Sequence, residues 1–278
     1  MPRGQCNICG WSGEFLQPSR EREGMLCGNC ASSSRLRAVI AWLAVVTGNE
    51  GLPLHAWGKN AGVAILESSA RGSYPVMLQD KFDYFATEYD PGEIAGGKHP
   101  RRFADFQDLH YADGTFDVVI ASDVFEHVRD DEAGYREVFR TLKPGGTLIL
   151  TVPYMHEQPA TVRRVDTSGP TDVLLMEPEY HGGGGHTLTY RTYGRDLLSL
   201  LKSVGFSVAH SRTCNDALGI TPQSVIVAQK GAFLEIPYGA AKRPGAGSLG
   251  PLIPYRLFLL LKYNFAGFTR IVKNLGRT

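Results

Sequence analysis

The chain has 278 residues, 43% of them hydrophobic and 21% charged, with a formal net charge of +1. That length can bury a sizeable core in one or two domains, and the longest strongly apolar runs fall far short of the roughly 20 residues that span a membrane. No acidic residue follows Glu235 while seven basic ones do, so the rest of the chain carries 22 basic against 28 acidic residues, a poor surface for gripping a phosphate backbone.

The N-terminal segment reads CNIC, seventeen residues, then CGNC. Two CxxC turns at this spacing can aim Cys6, Cys9, Cys27 and Cys30 at one tetrahedral zinc ion. Two disulfides or a redox CxxC are the alternatives, and the doubled pattern favours zinc. Four protein thiolates close the coordination sphere, which makes such a site structural. No basic-then-apolar leader precedes Cys6, so a cytoplasmic protein with reduced thiols is expected. The fifth cysteine, Cys214, is expected to be a small buried hydrophobe. Ser33-Ser34 can cap a helix with Leu36, Val39, Ile40 and Leu43 on one face. Arg35 and Arg37 at its start are expected to pack or pair locally.

After a loop-rich joint from Gly48 to Gly62, Val63–Leu66 reads as a strand ending at Glu67, followed by the turn Ser68-Ser69-Ala70-Arg71-Gly72-Ser73. Asp83 to Tyr89 reads as a second strand with Glu88 near its end. Asp105-Phe106 precedes a loop ending in Asp113-Gly114. The stretch FDVVIASDVFEHVRDDEAGYREVFRTLKPGGTLILTVPY, Phe116 to Tyr154, then gives a strand buried on both faces, a helix and a second strand. Asp130 or Asp131 can cap the helix, Tyr135, Val138, Phe139 and Leu142 form its apolar face, and Pro144-Gly145-Gly146 is expected to end it. This is a βαβ unit.

That stretch, FDVVIASDVFEHV followed by LKPGG and a strand, resembles the second half of a class I S-adenosylmethionine (SAM) dependent methyltransferase. Later, YGRDLLSLLKSVGF resembles the closing helix and strand entry of the same family. The resemblance covers roughly residues 60 to 230. With a zinc ribbon in front, it is similar to a group of bacterial methyltransferases of mostly unassigned substrate. It implies an α/β fold with a Rossmann-like, doubly wound, mostly parallel seven-stranded sheet. It divides the chain into a zinc ribbon with its helix (1–50), a methyltransferase domain (51–230) and a basic, partly amphipathic tail (231–278). The resemblance also implies SAM as cofactor. It places Glu67, Ser69, Arg71 and Gly72 at the cofactor turn and Glu88 on the ribose hydroxyls, where a carboxylate offers two acceptor oxygens. Asp105 would meet the adenine amino group, the Phe106 backbone the ring, and Ser122 would line the same crevice. The family's alternating glycines are replaced here by Ser69, Arg71 and Ser73, with Gly72 offset by one.

His127 follows the fourth strand with Asp123 and could act as a general base, or pin the helix. The irregular stretch from about 155 to 190 is an expected acceptor-site insertion. There His181 and His186 are candidate base or acceptor contacts, so the catalytic candidates are His127, His181 and Asp123. A second metal site drawn from His156, Glu157, His181 or His186 is a further possibility. A helix is expected from Thr192, with Leu197, Leu200, Leu201 and Val204 inward, then strands at 206–209 and 224–228. The tail could lie on an anionic membrane or dock on the body or a second subunit, giving a cytoplasmic protein or one peripheral at the inner membrane face. The function these features imply is methyl transfer from SAM to a small-molecule, sugar or glycolipid acceptor, at oxygen; nucleic acid is not an expected partner. The alternatives are an rRNA base methyltransferase with a zinc ribbon, or a non-catalytic scaffold of the same fold.

Overall fold

The structure, a computed structural model, describes residues 2–17, 19, 21–96, 101–181 and 187–232. The sequence expectations for His186 and for the basic tail lie outside them. The chain forms two compact units. One takes the described residues of Met1–Ala56 and Ser211–Val225, the other those of Trp57–His210 and Ile226–Phe233.

In the first unit, β1 (Arg3–Gln5) and β2 (Ser12–Glu14) pair antiparallel, and α1 spans Ser34–Thr47. The Ser33 hydroxyl accepts from Leu36 N and Gly48, at φ 72°, closes the far end in the left-handed region glycine tolerates. The expected apolar face is buried at Leu36, Val39, Ile40 and Leu43.

The second unit carries β3 (Asn60–Ser68), α2 (Tyr74–Lys81), β4 (Phe82–Thr87), the short α3 (Pro91–Ala95), β5 (Phe116–Ser122), α4 (Asp131–Thr141) and β6 (Leu142–Thr151). Three small antiparallel ladders follow. They are β7 (Val162–Arg163) with β12 (Arg191–Thr192), β8 (Val165–Asp166) with β9 (Val173–Leu174), and β10 (Tyr180–His181) with β11 (Thr187–Leu188). Then come α5 (Asp196–Val204), β13 (Phe206–Asn215) and β14 (Ile220–Lys230), with Ser211 to Asn215 and Ile220 to Val225 of these strands counted in the first unit. The main sheet has the order β13-β14-β6-β5-β3-β4. Strands β4, β3, β5 and β6 are parallel and β14 runs antiparallel to β6. The fold is the expected mostly parallel α/β sheet. Six strands are assigned among the described residues where the family resemblance implies seven. At the β4 edge, a parallel bridge between Glu88 and Phe103 stands where a further strand would begin.

Residues Val118 to Ala121 are at most 1% exposed because β5 is covered on both faces. Asp130 caps α4 through Ala133 N, and Tyr135 and Val138 enter the core beside Phe116, Leu148 and Leu150. Each fully buried side chain of this size contributes about 1.5–3 kcal/mol.

Three local expectations are corrected. The helix stops at Thr141, and Pro144-Gly145-Gly146 lies inside β6, because Leu142 already pairs with Phe116 and the register shifts before Thr147 meets Val118. The later helix starts at Asp196, since Arg191–Thr192 pairs with Val162–Arg163. Cys214 is exposed: Ser211 and Thr213 take the inward positions of that strand, so the alternating residues face out.

Candidate active site

The register of the parallel strands decides which residues share an edge. Ser68 lies beside Thr87 on one side and Ala121 on the other, and Ser122 lies beside Thr151. The residues that follow these positions therefore leave the same, C-terminal edge, where open α/β sheets bind ligands. They are Ser69 to Gly72 after β3, Glu88 after β4, and Asp123 to His127 after β5.

The turn after β3 is anchored by Ser69 N, which donates to Thr87 O at 2.7 Å. Ser69 has φ 54° and Gly72 φ 83°. The serine thus adopts a backbone conformation that glycine would enter freely. Arg71 Nη1 donates to Glu88 Oε1 at 2.8 Å, with both side chains about half exposed. Two sequence-predicted cofactor residues are thereby joined across the β3 and β4 ends. Glu67 is different in kind. It is 1% exposed, and its carboxylate accepts from the hydroxyls of Tyr74 and Tyr84. Burial, then the neighbouring Glu67 charge, pushes the Tyr84 hydroxyl far above its ordinary range, so it stays a donor.

Asp105 Oδ1 accepts from Gln107 N at 2.8 Å and from Gln107 Nε2 at 3.1 Å. The Phe106 ring is buried against Phe125, centroids 5.5 Å apart. Ser122 Oγ is 3.0 Å from Thr151 Oγ1, which also donates to Asp123 Oδ1 at 3.1 Å. Asp123 has φ 55°, so the chain turns sharply as β5 ends.

The next turn carries His127, whose Nδ1 is 2.9 Å from Leu188 O. A carbonyl only accepts, so Nδ1 donates and Nε2 keeps its lone pair. Burial lowers the His127 pKa, holding the ring neutral. The structure brings His181 to it, ring centroids 5.0 Å apart. His156 instead pairs with the adjacent Glu157 at 2.8 Å. Sequence reasoning gave no role to the residues that brace this turn. The Arg191 guanidinium is 1% exposed and donates to the carbonyls of Phe125 at 3.0 Å, Val128 at 2.5 Å and Arg129 at 2.7 Å. Tyr193 Oη donates to Asp131 Oδ2 at 2.9 Å. Tyr190 N donates to Glu126 O at 2.8 Å. Their only signal is type: a charged and a phenolic side chain close to an apolar helix.

In the first unit the four cysteines are free thiols. Cys6 and Cys30 sulfurs lie 3.7 Å apart, Cys9 and Cys27 sulfurs 3.6 Å, and all four within 4.8 Å of one another. Zinc–sulfur bonds of about 2.3 Å in a tetrahedron set sulfurs about 3.8 Å apart, so the donor set fits one zinc ion. Burial pushes the Cys27 thiol up to about 12, and a bound metal is what would displace its proton.

Residues 69–150 match the protein family described as methyltransferase domain. Over 68 residues the chain is 39% identical to a demethylmenaquinone methyltransferase of Corynebacterium efficiens, 23% of this chain and 30% of that protein. Over 81 residues it is 36% identical to a sterol 24-C-methyltransferase of Aspergillus fumigatus, 27% of this chain and 21% of that protein. The matched segment thus spans less than a third of either relative. A solved SAM-dependent methyltransferase of Mesorhizobium loti is 17% identical with a TM-score of 0.42, covering 63% of this chain and 95% of its own. Among the described residues, no helix is long and apolar enough to cross a membrane.

Proposed function

We propose, from the match of residues 69–150 to a methyltransferase domain, that this protein is a class I SAM-dependent methyltransferase that moves a methyl group from SAM to the oxygen of a small-molecule, sugar or glycolipid acceptor. The observation that carries the reading is that the family match begins at Ser69 and takes in the turn, Glu88 and His127, which leave one edge of the sheet. Glu88 would accept from the ribose hydroxyls. Arg71 would exchange its carboxylate partner for that of the cofactor. Ser69, Gly72, Asp105, Phe106 and Ser122 would line the cleft, and the buried Glu67 would hold the turn through Tyr74 and Tyr84 as well as shaping its floor.

In the reaction an acceptor oxygen forms a bond to the methyl carbon as the carbon–sulfur bond breaks. The electron pair stays on sulfur, giving S-adenosylhomocysteine, and the acceptor loses a proton. Sulfur is already positively charged, so alignment of oxygen, methyl and sulfur supplies much of the acceleration. The proton can pass to the lone pair on His127 Nε2, with His181 beside it. Asp123, held by Thr151, fixes the direction in which the chain leaves β5. A structural zinc held by Cys6, Cys9, Cys27 and Cys30 belongs to the same proposal and takes no part in the chemistry.

Calorimetric titration with SAM tests the assignment. Wild type is expected to bind, and Glu88→Ala to bind at least tenfold more weakly with an unchanged unfolding midpoint. Folded, zinc-loaded wild type that takes up no SAM would leave the scaffold reading in its place. Strong, salt-sensitive RNA binding would favour the rRNA reading.

A further inference from the structure

The Glu126 side chain is 0% exposed, and two imidazoles stand beside it. One ligand atom each from Glu126, His127 and His181 lies within 4.8 Å of the others. His127 Nε2 is 4.0 Å from Glu126 Oε1, and the imidazole rings meet at 74°. A single ion at about 2.1 Å from each donor spans atoms up to about 4.2 Å apart. The Glu126–His127 pair already fits that span. His181 sits on β10, a two-residue hairpin strand, and needs at most a small shift.

The outer partners point the same way. His127 Nδ1 is committed to Leu188 O, so its lone pair is on Nε2, the nitrogen facing Glu126. His181 Nε2 lies 3.1 Å from Glu179 Oε1 and 2.9 Å from Thr189 Oγ1. A carboxylate only accepts, which puts the His181 proton on Nε2 and its lone pair on Nδ1. Metal-binding histidines almost always donate their second ring N–H to a carbonyl or carboxylate, and here both do.

We propose that Glu126, His127 and His181 hold a divalent first-row transition-metal ion. Two imidazoles and one carboxylate suit such ions and leave coordination positions open. The role of the ion rests on the methyltransferase reading. An acceptor hydroxyl on an open position would be acidified by the ion and lose its proton to water, and His127 Nε2, as a ligand, would not then serve as the base.

The test uses full-length protein with zinc in its cysteine site, stripped of looser metal by a mild chelator and titrated with cobalt(II) by calorimetry and elemental analysis. SAM binding is measured on the same samples. Wild type is expected to take up about one cobalt beyond the zinc. Glu126→Gln and His181→Ala should each weaken that uptake at least tenfold, since losing even the outer partner of a ligand costs about 10–100-fold. His181→Ala alters a hairpin side chain and keeps the test decisive if Glu126→Gln fails to fold. No cobalt uptake by folded wild type, or uptake unchanged in His181→Ala, overturns the proposal. Cobalt uptake without SAM binding supports the metal site and counts against the methyltransferase reading instead.

Discussion

Ser69 sits at φ 54° in the turn that would receive the cofactor, and that one angle separates the substitutions it tolerates. The left-handed region costs an L-residue roughly 1–2 kcal/mol, glycine nothing comparable, and a β-branched residue the most. Ser69→Gly is therefore expected to keep the turn and bind SAM within about twofold of wild type. Ser69→Val should lower stability by about 1–2 kcal/mol and weaken SAM binding, read from urea midpoints and calorimetry. A valine variant with wild-type midpoint and affinity would show that the turn relaxes at no cost. Neighbouring Arg71 and Glu88 are about half exposed. Their ion pair is therefore worth no more than about 1 kcal/mol and a ligand can displace it.

α4 does more than cover the sheet. Glu137 Oε2 accepts from Leu109 N at 2.9 Å, and Arg140 reaches Leu109 O at 2.6 Å, Tyr111 O at 2.8 Å and Asp113 Oδ1 at 2.7 Å while bonding Glu137. The helix thereby clasps the loop that continues from Asp105. The Arg140 hydrogen bond holds the Glu137 carboxylate below its ordinary value of 4.5. A depressed carboxylate stabilises the fold above its unfolded pKa and loses that contribution as pH falls through the folded one. Thermal midpoints should therefore drop below about pH 4.5, and Glu137→Gln should flatten that limb; an identical acid limb in the variant would remove Glu137 from the account. The start and apolar face of this helix and the strand before it were legible in the sequence because periodicity and N-caps are local signals, whereas its end was set by Leu142 pairing with Phe116. Arg191–Thr192 was not legible, because a partner at Val162–Arg163 claims its backbone. The pairing of His127 with His181 was equally hidden. It depends on a hairpin whose Leu188 carbonyl grips the first imidazole, and no spacing rule reports that.

At the scale of the whole molecule, the gathering of four cysteines was readable from their spacing, whereas the burial of Arg37 was not. The sequence suggested only local packing. In the first unit Arg37 is 0% exposed and donates to the carbonyls of Met25, Ser32, Leu218 and Gly219, the last two at 2.8 Å, with its guanidinium 4.4 Å from the Phe15 ring centre. Residues far apart in the chain are thus tied through one cation. Taking a guanidinium out of water costs several kcal/mol unless charge and hydrogen bonds compensate. Four thiolates on a zinc ion would carry a net charge of about −2 and would supply that compensation. The strands here are only three residues long, and a lone hairpin is marginal in water. Metal binding and folding of this unit should then be one event. Wild type is expected to retain one zinc in its cysteine site, and a strong chelator should abolish near-ultraviolet dichroism from Trp11 and Trp42 together with the metal. Arg37→Met strands several buried carbonyls, each costing about 1–3 kcal/mol, so it should release zinc at lower chelator concentration than wild type. Arg37→Lys, with three donors in place of five, should fall between. Zinc retention and dichroism unchanged in Arg37→Met would mean that the cysteine cluster stands without the buried cation.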